Sequence, residues 1–348
     1  MKQRGVFLAG AVFSVLYFFL FPRGAGREPV LLPESLTPMD STSVTSSSVG
    51  PTRAVVAQGR AGYFDSNHSL TAFYAADRIA ANDEWLALPG EDGVEIIEPD
   101  GRLRVRIPLS GTPLIRRDSL YLYHEEAGRL TQVAPQDGRV LWTQNFLSPL
   151  TVLDAAQERT FVGLLDGRAF VFGSSGDLLL EYRPGGSRIE AIYGGAFSDD
   201  GKSLALISGL DPQRFVLLEE RKNGYRPVTH HDTGTDFRRG VPVGFVAGGG
   251  RILYEGNGSV TAVDRVDFIP RDLPIEGYPL GWVGGLLPDT LMLLDRQKDG
   301  DGMTLLSRDD LLLYTGKIPS GALGITGDGQ SLYIDTSQGV ATLEAMKQ

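Results

Sequence analysis

Short runs of apolar residues, each opened by a turn rich in glycine or aspartate, follow one another along most of the chain. The segment QDGRVLW illustrates the pattern, because its turn at Gly138 leads into an apolar run that ends on Trp142. Alternating or continuous apolar runs of this length are typical of β-strands, and glycine provides the backbone conformation that tight turns need. The pattern therefore predicts an all-β protein.

Three classes of turn recur in the same order about every 40 residues. They are represented by RRDSLYLY around Asp118, EAGRLTQV around Gly128 and QDGRVLW around Gly138. Three turns separate four strands, and four short antiparallel strands per unit are typical of a β-propeller blade. A β-sandwich also has short strands, but it does not repeat three turn classes in a fixed order. We count seven units and predict a β-propeller of seven four-stranded blades over residues 54–348.

The last unit has room for only three strands, because its third strand, VATLEA, is followed at once by Met346 and the end of the sequence. The segment Ala54–Phe64 precedes the first unit and belongs to none of the seven. We therefore expect this segment to supply the missing fourth strand. Closing the ring in this way removes exposed sheet edges, which otherwise promote association.

The N-terminal part has a different pattern, an unbroken apolar run from Gly5 to Phe21 that follows Lys2 and Arg4. As a helix, this run would span about 25 Å, near the lower limit for a bilayer core. It is not followed by the small residues of a cleavage site, so we predict an uncleaved transmembrane helix within residues 1–23 rather than a signal peptide. The flanking positive charges predict a single-pass protein of the cytoplasmic (inner) membrane with a periplasmic C-terminal domain.

Residues 24–53 are rich in serine, threonine and proline and contain few residues that a core would bury. Such a segment cannot offset the entropy lost on ordering. We therefore predict a flexible tether between the membrane anchor and the propeller domain.

Charge and cysteine content exclude several classes of function. The formal net charge is −10 and the pI is about 5.0, so the protein repels phosphate backbones at long range, and nucleic acid is not expected as a partner. The chain has no cysteine, which excludes disulfides, thiolate metal sites, a cysteine nucleophile and a lipidated cysteine.

Three segments resemble known propeller repeats. Residues 164–182, LLDGRAFVFGSSGDLLLEY, and residues 132–144, QVAPQDGRVLWTQ, look like the repeats of bacterial PQQ-like propellers, and FSDDGKSLALIS at 197–208 resembles the WD40-like repeat. The resemblance implies a propeller fold over most of the chain and says little about activity. The quinone-dependent dehydrogenases of this family have a vicinal disulfide, which this chain cannot form. The outer-membrane assembly lipoprotein of the same family implies instead a protein-binding scaffold.

Residues with catalytic or metal-binding potential are few and badly spaced. His230 and His231 adjoin two aspartates, but neighbouring residues of an extended segment point to opposite sides and rarely share one ion. The segment Asp295–Met303 lacks the spacing of an EF-hand and is better explained as a hairpin turn. Gly248–Gly250 has no lysine or helix with which to hold phosphate. We therefore predict no catalytic residue, no metal ligand and no cofactor.

The central channel of a propeller is lined by the innermost strand of each blade, so polar residues on such strands are candidates for recognition. They are Arg116 and Arg117 in PLIRRD, Asp154 in TVLDAA and Trp282 in LGWVGG. Arginine is enriched in the cores of protein interfaces. The alternative is that these residues bind only water at the channel.

Two functions are consistent with these features. The first is a membrane-tethered protein-interaction scaffold outside the cytoplasm, with an unidentified protein partner and with envelope assembly as the process we expect. The alternative is a propeller-type hydrolase or lactonase that holds a divalent metal in its channel. The scaffold is preferred because the chain has no recognisable catalytic set.

Overall fold

The computed structural model describes residues 30–42, 44, 53–57, 59–222, 224–318, 321–327, 331–336 and 339–346. Within these residues the regular elements are β-strands, apart from one 3-10 turn at Ala247–Gly249. The strands form eight antiparallel sheets, seven with four strands and one with three. The prediction of an all-β fold is therefore confirmed.

Each sheet is one blade, and we number the blades along the chain. Blade 1 contains β2 (Arg53–Ala57), β3 (Arg60–Phe64) and β4 (Leu70–Ala75). Blade 2 contains β5 (Ala80–Ala81), β6 (Leu86–Gly90), β7 (Gly93–Ile97) and β8 (Leu103–Ile107). Blade 3 contains β9 (Thr112–Arg116), β10 (Ser119–His124), β11 (Arg129–Val133) and β12 (Val140–Asn145). Blade 4 contains β13 (Leu150–Ala156), β14 (Arg159–Leu164), β15 (Ala169–Phe172) and β16 (Leu178–Tyr182).

The remaining blades follow the same order. Blade 5 contains β17 (Ile189–Phe197), β18 (Ser203–Leu210), β19 (Arg214–Arg221) and β20 (Gly224–Asp232). Blade 6 contains β21 (Val243–Val246), β22 (Arg251–Glu255), β23 (Val260–Asp264) and β24 (Pro270–Leu273). Blade 7 contains β25 (Tyr278–Gly284), β26 (Thr290–Gln297), β27 (Gly300–Ser307) and β28 (Leu312–Ile318). Blade 8 contains β29 (Ala322–Gly327), β30 (Ser331–Thr336), β31 (Gly339–Met346) and, from the other end of the chain, β1 (Val30–Pro38).

The prediction of seven blades is wrong, because the segment Ala54–Phe64 starts a blade of its own. Its two halves pair with each other, with Val55 opposite Gly62, and β4 pairs with β3. The hairpin between β3 and β4 has the hydrogen-bond pattern of the third turn in other blades, since the amide of Asp65 donates to the carbonyl of Ser69. β2, β3 and β4 therefore match the second, third and fourth strands of a blade. No described residue occupies the innermost position of this sheet.

The ring is closed by β1 rather than by Ala54–Phe64. β1 pairs antiparallel with β31, with Leu31 opposite Ala345 and Pro38 opposite Gly339. This strand lies within residues 24–53, where the composition predicts a tether. Its prolines are compatible with the position because an outermost strand uses only one of its edges for pairing.

The predicted transmembrane helix and the single-pass location in the inner membrane require correction. The described part of the chain contains no helix that is long and apolar enough to cross a membrane. The apolar run Gly5–Phe21, on which both predictions depend, lies outside the described residues.

The cores lie between the faces of neighbouring blades. Between blades 4 and 5, for example, Phe161 and Val171 pack with Ile192 and Leu204. In blades 2 to 5 the third turn also approaches the fourth strand of the blade before it. At Gly176, with φ of +80°, a Cβ atom would lie 2.6 Å from the Cβ of Trp142, so only glycine fits. The glycine-marked third turns thus serve the packing of blade on blade.

A buried carboxylate lies where blade 8 meets blade 1. Burial raises the pKa of Asp335 to about 6, and the nearby positive charge of Arg53 lowers it only in part. Arg53 itself packs over the ring of Tyr333, with its Cζ atom 3.9 Å from the ring centroid. The Oδ1 atom of Asp335 has no hydrogen-bond donor among the described residues. Ionisation of Asp335 therefore opposes folding near neutral pH.

The closure by β1 predicts a contrast between two leucines of one strand. Leu31 is 7% exposed and packs in the core of blade 8, whereas Leu36 is 58% exposed. We expect Leu31→Ala to lower the free energy of unfolding by about 2–4 kcal/mol, because it leaves a cavity. Leu36→Ala should change it by less than about 0.5 kcal/mol. Denaturant unfolding checks both, and equal effects would contradict the pairing of β1 with the core.

Asp335 predicts a specific pH dependence of stability. Its pKa of about 6 in the folded protein exceeds the usual value in an unfolded chain, so its unfavourable contribution appears as the pH rises from about 4 through 6. We expect Asp335→Asn to raise the free energy of unfolding, relative to the wild type, by about 1–3 kcal/mol more at pH 7 than at pH 4. Unfolding curves at both pH values measure this, and a difference independent of pH would refute the prediction.

Candidate functional site

The first and third turns of every blade lie at the same end of the ring, because successive strands run in opposite directions. We call this end the turn face. Arg116 and Arg117 lie where β9 ends, and Asp154 lies near the end of β13. Three of the four predicted recognition residues therefore lie at the turn face, in the adjacent blades 3 and 4.

Arg116 joins the innermost strands of these two blades. Its Nε atom donates a hydrogen bond of 2.7 Å to the carbonyl of Leu153, and a terminal nitrogen donates to its own neighbour, Ile115, at 2.8 Å. Both acceptors are backbone carbonyls of innermost strands. The guanidinium thus ties β9 to β13 directly beside Asp154.

Asp154 connects blade 4 to blade 5. Its Oδ2 atom accepts a hydrogen bond of 2.7 Å from the backbone amide of Phe197. Burial raises the pKa of the Asp154 carboxyl above its usual range, and this effect is opposed by the backbone amides of Phe197 and Ala155 and by the charges of Arg117 and Arg116. The carboxylate therefore depends on these donors and on the arginine pair for its charge.

Arg117 reaches across a whole blade. Its backbone adopts a left-handed conformation, with φ of +54°, and its NH2 group donates to the Oδ1 atom of Asp199 at 2.9 Å. Asp199 lies in the first turn of blade 5, and Gln157 from the first turn of blade 4 donates to its carbonyl at 3.2 Å. We call Arg116, Arg117, Asp154 and Asp199 the mouth network.

Asp199 was not predicted from the sequence. The signal was present, because DDGK occupies in blade 5 the turn position that RRDS occupies in blade 3. An acidic turn and a basic turn at equivalent positions are able to meet across the ring. Only the ring geometry shows that the side chain of Arg117 is long enough to pass the intervening blade.

Trp282 is not part of this group. It lies on β25 of blade 7, opposite Leu293, and packs against a core cluster that includes Leu253. A Cβ atom on Gly244 of blade 6 would lie 3.1 Å from its indole nitrogen. Its position is that of a residue packing one blade against another.

The candidate metal residues are also separated. His231 stacks on Phe215 with ring centroids 4.9 Å apart and shares a hydrogen bond of 2.8 Å with the hydroxyl of Tyr254, while the preceding His230 is exposed. Asp301 is fully buried and pairs with Arg296 at 3.0 Å in the hairpin of β26 and β27. Among the residues that the structure describes, no three histidine, aspartate or glutamate side chains are grouped as around a metal ion.

Exposed apolar residues lie at the outer edge of the turn face. In blades 3, 4 and 7 the fourth strand begins with a pair of exposed apolar residues. We call them the rim residues: Val140, Leu141, Leu178, Leu179, Leu312 and Leu313.

A β-bulge explains why the second residue of each pair is exposed. In blade 4, Leu178 pairs with Phe172 and Leu180 pairs with Val171, so Leu179 has no residue opposite it. The same shift leaves Leu141 and Leu313 unpaired. A bulge turns a side chain away from the direction that alternation would give it. In the sequence pattern these leucines therefore appear only as parts of apolar runs.

The comparisons with known proteins agree with this architecture. A protein of Treponema pallidum (strain Nichols), described as an uncharacterized protein, is 23% identical over 294 residues, 80% of this chain and 78% of that protein. BamB from Moraxella catarrhalis is similar in structure, with a TM-score of 0.64 and 14% identity over 91% of this chain and 100% of that one. The computationally designed Ika8 protein gives a TM-score of 0.65 and 12% identity over 87% and 98% of the two chains.

These structural likenesses show the fold alone, since their sequence identities are low. The finer resemblance to PQQ-like and WD40-like repeats stays a prediction. The family model described as beta-propeller protein matches residues 1–346, nearly the whole sequence. With eight consecutive sheets in a closed order and this match, the chain belongs to the family of β-propeller proteins.

Proposed function

We propose that this protein is a protein-interaction scaffold that binds its partner through the turn face. The observation that carries the proposal is the repetition of exposed apolar pairs at one structural position in three blades. Leu178 and Leu312 are 54% and 58% exposed, although both belong to regular strands. Apolar side chains that recur at one end of a protein mark interaction sites more often than single exposed leucines do.

The mouth network complements these apolar residues. The side chains of Arg117 and Asp199 are 41% and 76% exposed, and an exposed ion pair of this kind contributes little to stability. Both charges are therefore available to hydrogen-bond a partner at small cost to the fold. An interface commonly combines apolar contacts with arginine and a polar surround.

The closed ring supports the same proposal. Because β1 joins the two ends of the chain, the turn faces of neighbouring blades keep fixed relative positions. When a partner contacts several blades, the scaffold then loses less conformational freedom on binding. A role in envelope assembly stays a prediction.

Photo-crosslinking in cells tests the proposal. A photoreactive phenylalanine analogue is placed at Leu141, Leu179 or Leu313, and in a matched control at Leu147, which is fully exposed in the loop between blades 3 and 4 at the opposite end of the ring. We expect the rim positions to give the same protein adducts, identified by mass spectrometry, and Leu147 to give at least tenfold less of them.

All four positions are exposed, so the substituted proteins should melt at the same temperature as the wild type, which controls for misfolding. Adducts of equal yield from Leu147 and from the rim positions would contradict a specific turn-face interface. Adducts from Leu147 alone would move the interface to the other end of the ring.

A further inference from the structure

The fourth strand of each blade has one edge without a strand beside it, and the blades differ in how that edge is protected. Charged residues and proline on an edge strand hinder the addition of a further strand. β8 carries Arg104 and Arg106, β20 contains Pro227, and β24 begins with Pro270. These edges are protected against pairing with another chain.

β16 in blade 4 has neither the arginines nor the proline of these strands, and its one charged residue is Glu181. Its sequence is LLLEY, so it contains no proline and no basic residue. Leu178 and Leu179 are exposed at its start, whereas Leu180 packs against the core shared with blade 5. An edge strand of this kind offers free backbone donors and acceptors beside apolar side chains, which is the arrangement used for β-strand addition.

Two acidic side chains flank the exposed leucines. Asp177 precedes them and accepts a hydrogen bond from the hydroxyl of Ser175 at 2.6 Å, and Glu181 follows them. Neither carboxylate forms an ion pair with a described residue, although Arg168 is close enough to be influenced by the charge of Glu181. The edge is therefore negative at both ends and apolar between them.

Resting on the proposed scaffold function, we propose that β16 accepts an additional strand from the partner protein. The added segment is extended, has apolar residues at alternate positions and carries a basic residue on each side of them. Its backbone pairs with the free edge of β16, its apolar side chains cover Leu178 and Leu179, and its basic residues meet Asp177 and Glu181. Charge complementarity of this type determines the register and the choice of partner.

The chain itself supplies a substitution that should block this addition. Arg104 in β8 occupies the bulge position that Leu179 occupies in β16, since each is the unpaired second residue of a fourth strand. Leu179→Arg therefore copies a protected edge that the same fold already accommodates. Leu103→Arg puts the same charge on an exposed leucine of β8, an edge that already carries arginine, and is the matched control.

The probe is a fluorescein-labelled peptide of alternating valine and threonine with a lysine at each end, and its binding to the full chain is measured by fluorescence anisotropy. We expect Leu179→Arg to weaken binding at least tenfold and Leu103→Arg to change it less than twofold. A central proline in the peptide should abolish binding, because it removes a backbone donor. Hydrogen exchange should slow at the amides of Leu178–Tyr182 and not in β12.

Charge reversal provides a second variant that leaves the apolar residues intact. Glu181→Lys should weaken binding of the lysine-flanked peptide and favour a glutamate-flanked peptide of otherwise identical sequence. Equal binding of the proline peptide, or unchanged affinity of Leu179→Arg, would overturn strand addition at β16. If rim crosslinks form in cells but the peptide does not bind, the scaffold proposal stands and the strand addition is wrong. If the peptide binds but no rim crosslinks form in cells, the turn-face scaffold is overturned.

Discussion

The pairing of β1 with β31 is the interaction on which the rest of the structure depends. A row of blades has two exposed terminal faces, and each apolar face needs a neighbour to be buried. By placing the first described strand beside the last, the chain converts the row into a ring in which every blade lies between two others. The closure joins residues about 300 positions apart, and the entropy lost rises only slowly with that separation. Core burial in all eight blades thus relies on one strand pair.

Contacts between blades are of two physical kinds. At the faces, apolar side chains interlock, and at the turn face, charged groups span from one blade to the next. In blades 2 to 5 a glycine in the third turn allows the backbone to lie against the preceding blade, as at Gly176 and Trp142. Arg116 and Asp154 then satisfy backbone groups near the innermost strands. The hydrogen bonds of Arg116 and Asp154 therefore join blades near the channel, and the packing of the third turns joins them farther from it.

Much of the fold follows from local sequence pattern. The turn classes reflect backbone geometry, so the strands of blades 2 to 7 and their order are predictable from residues close together in sequence. The number of blades was wrong because Ala54–Phe64 forms a hairpin of its own instead of pairing with β31. The closing strand was missed because the prolines of Val30–Pro38 suggest a tether. A strand that pairs along one edge tolerates proline, but its partner lies at the far end of the chain.

The candidate site was predictable to a similar degree. Alternation and strand order place Arg116, Arg117 and Asp154 at the innermost strands, and the structure brings them together. Trp282 lies apart from them and packs against the core shared with blade 6, because an aromatic residue on such a strand can face the neighbouring blade as readily as the channel. The exposure of Leu141 and Leu179 depends on a bulge and on the neighbouring blade, and neither is encoded in the apolar pattern itself.

At the recurring bulge, the side chain on the surface can differ between blades while the strand pairing stays the same. Its extra residue has no partner in the ladder, so the chain can hold threonine, arginine or leucine there, as at Thr71, Arg104 and Leu179, without altering the pairing on either side. Such a bulge between the third and fourth strands occurs in blades 1 to 5 and 7, so each of these blades has a position whose side chain can be replaced almost independently of its sheet. A ring of such positions allows a new binding specificity to arise, by natural variation or by design, through a few substitutions on an unchanged framework.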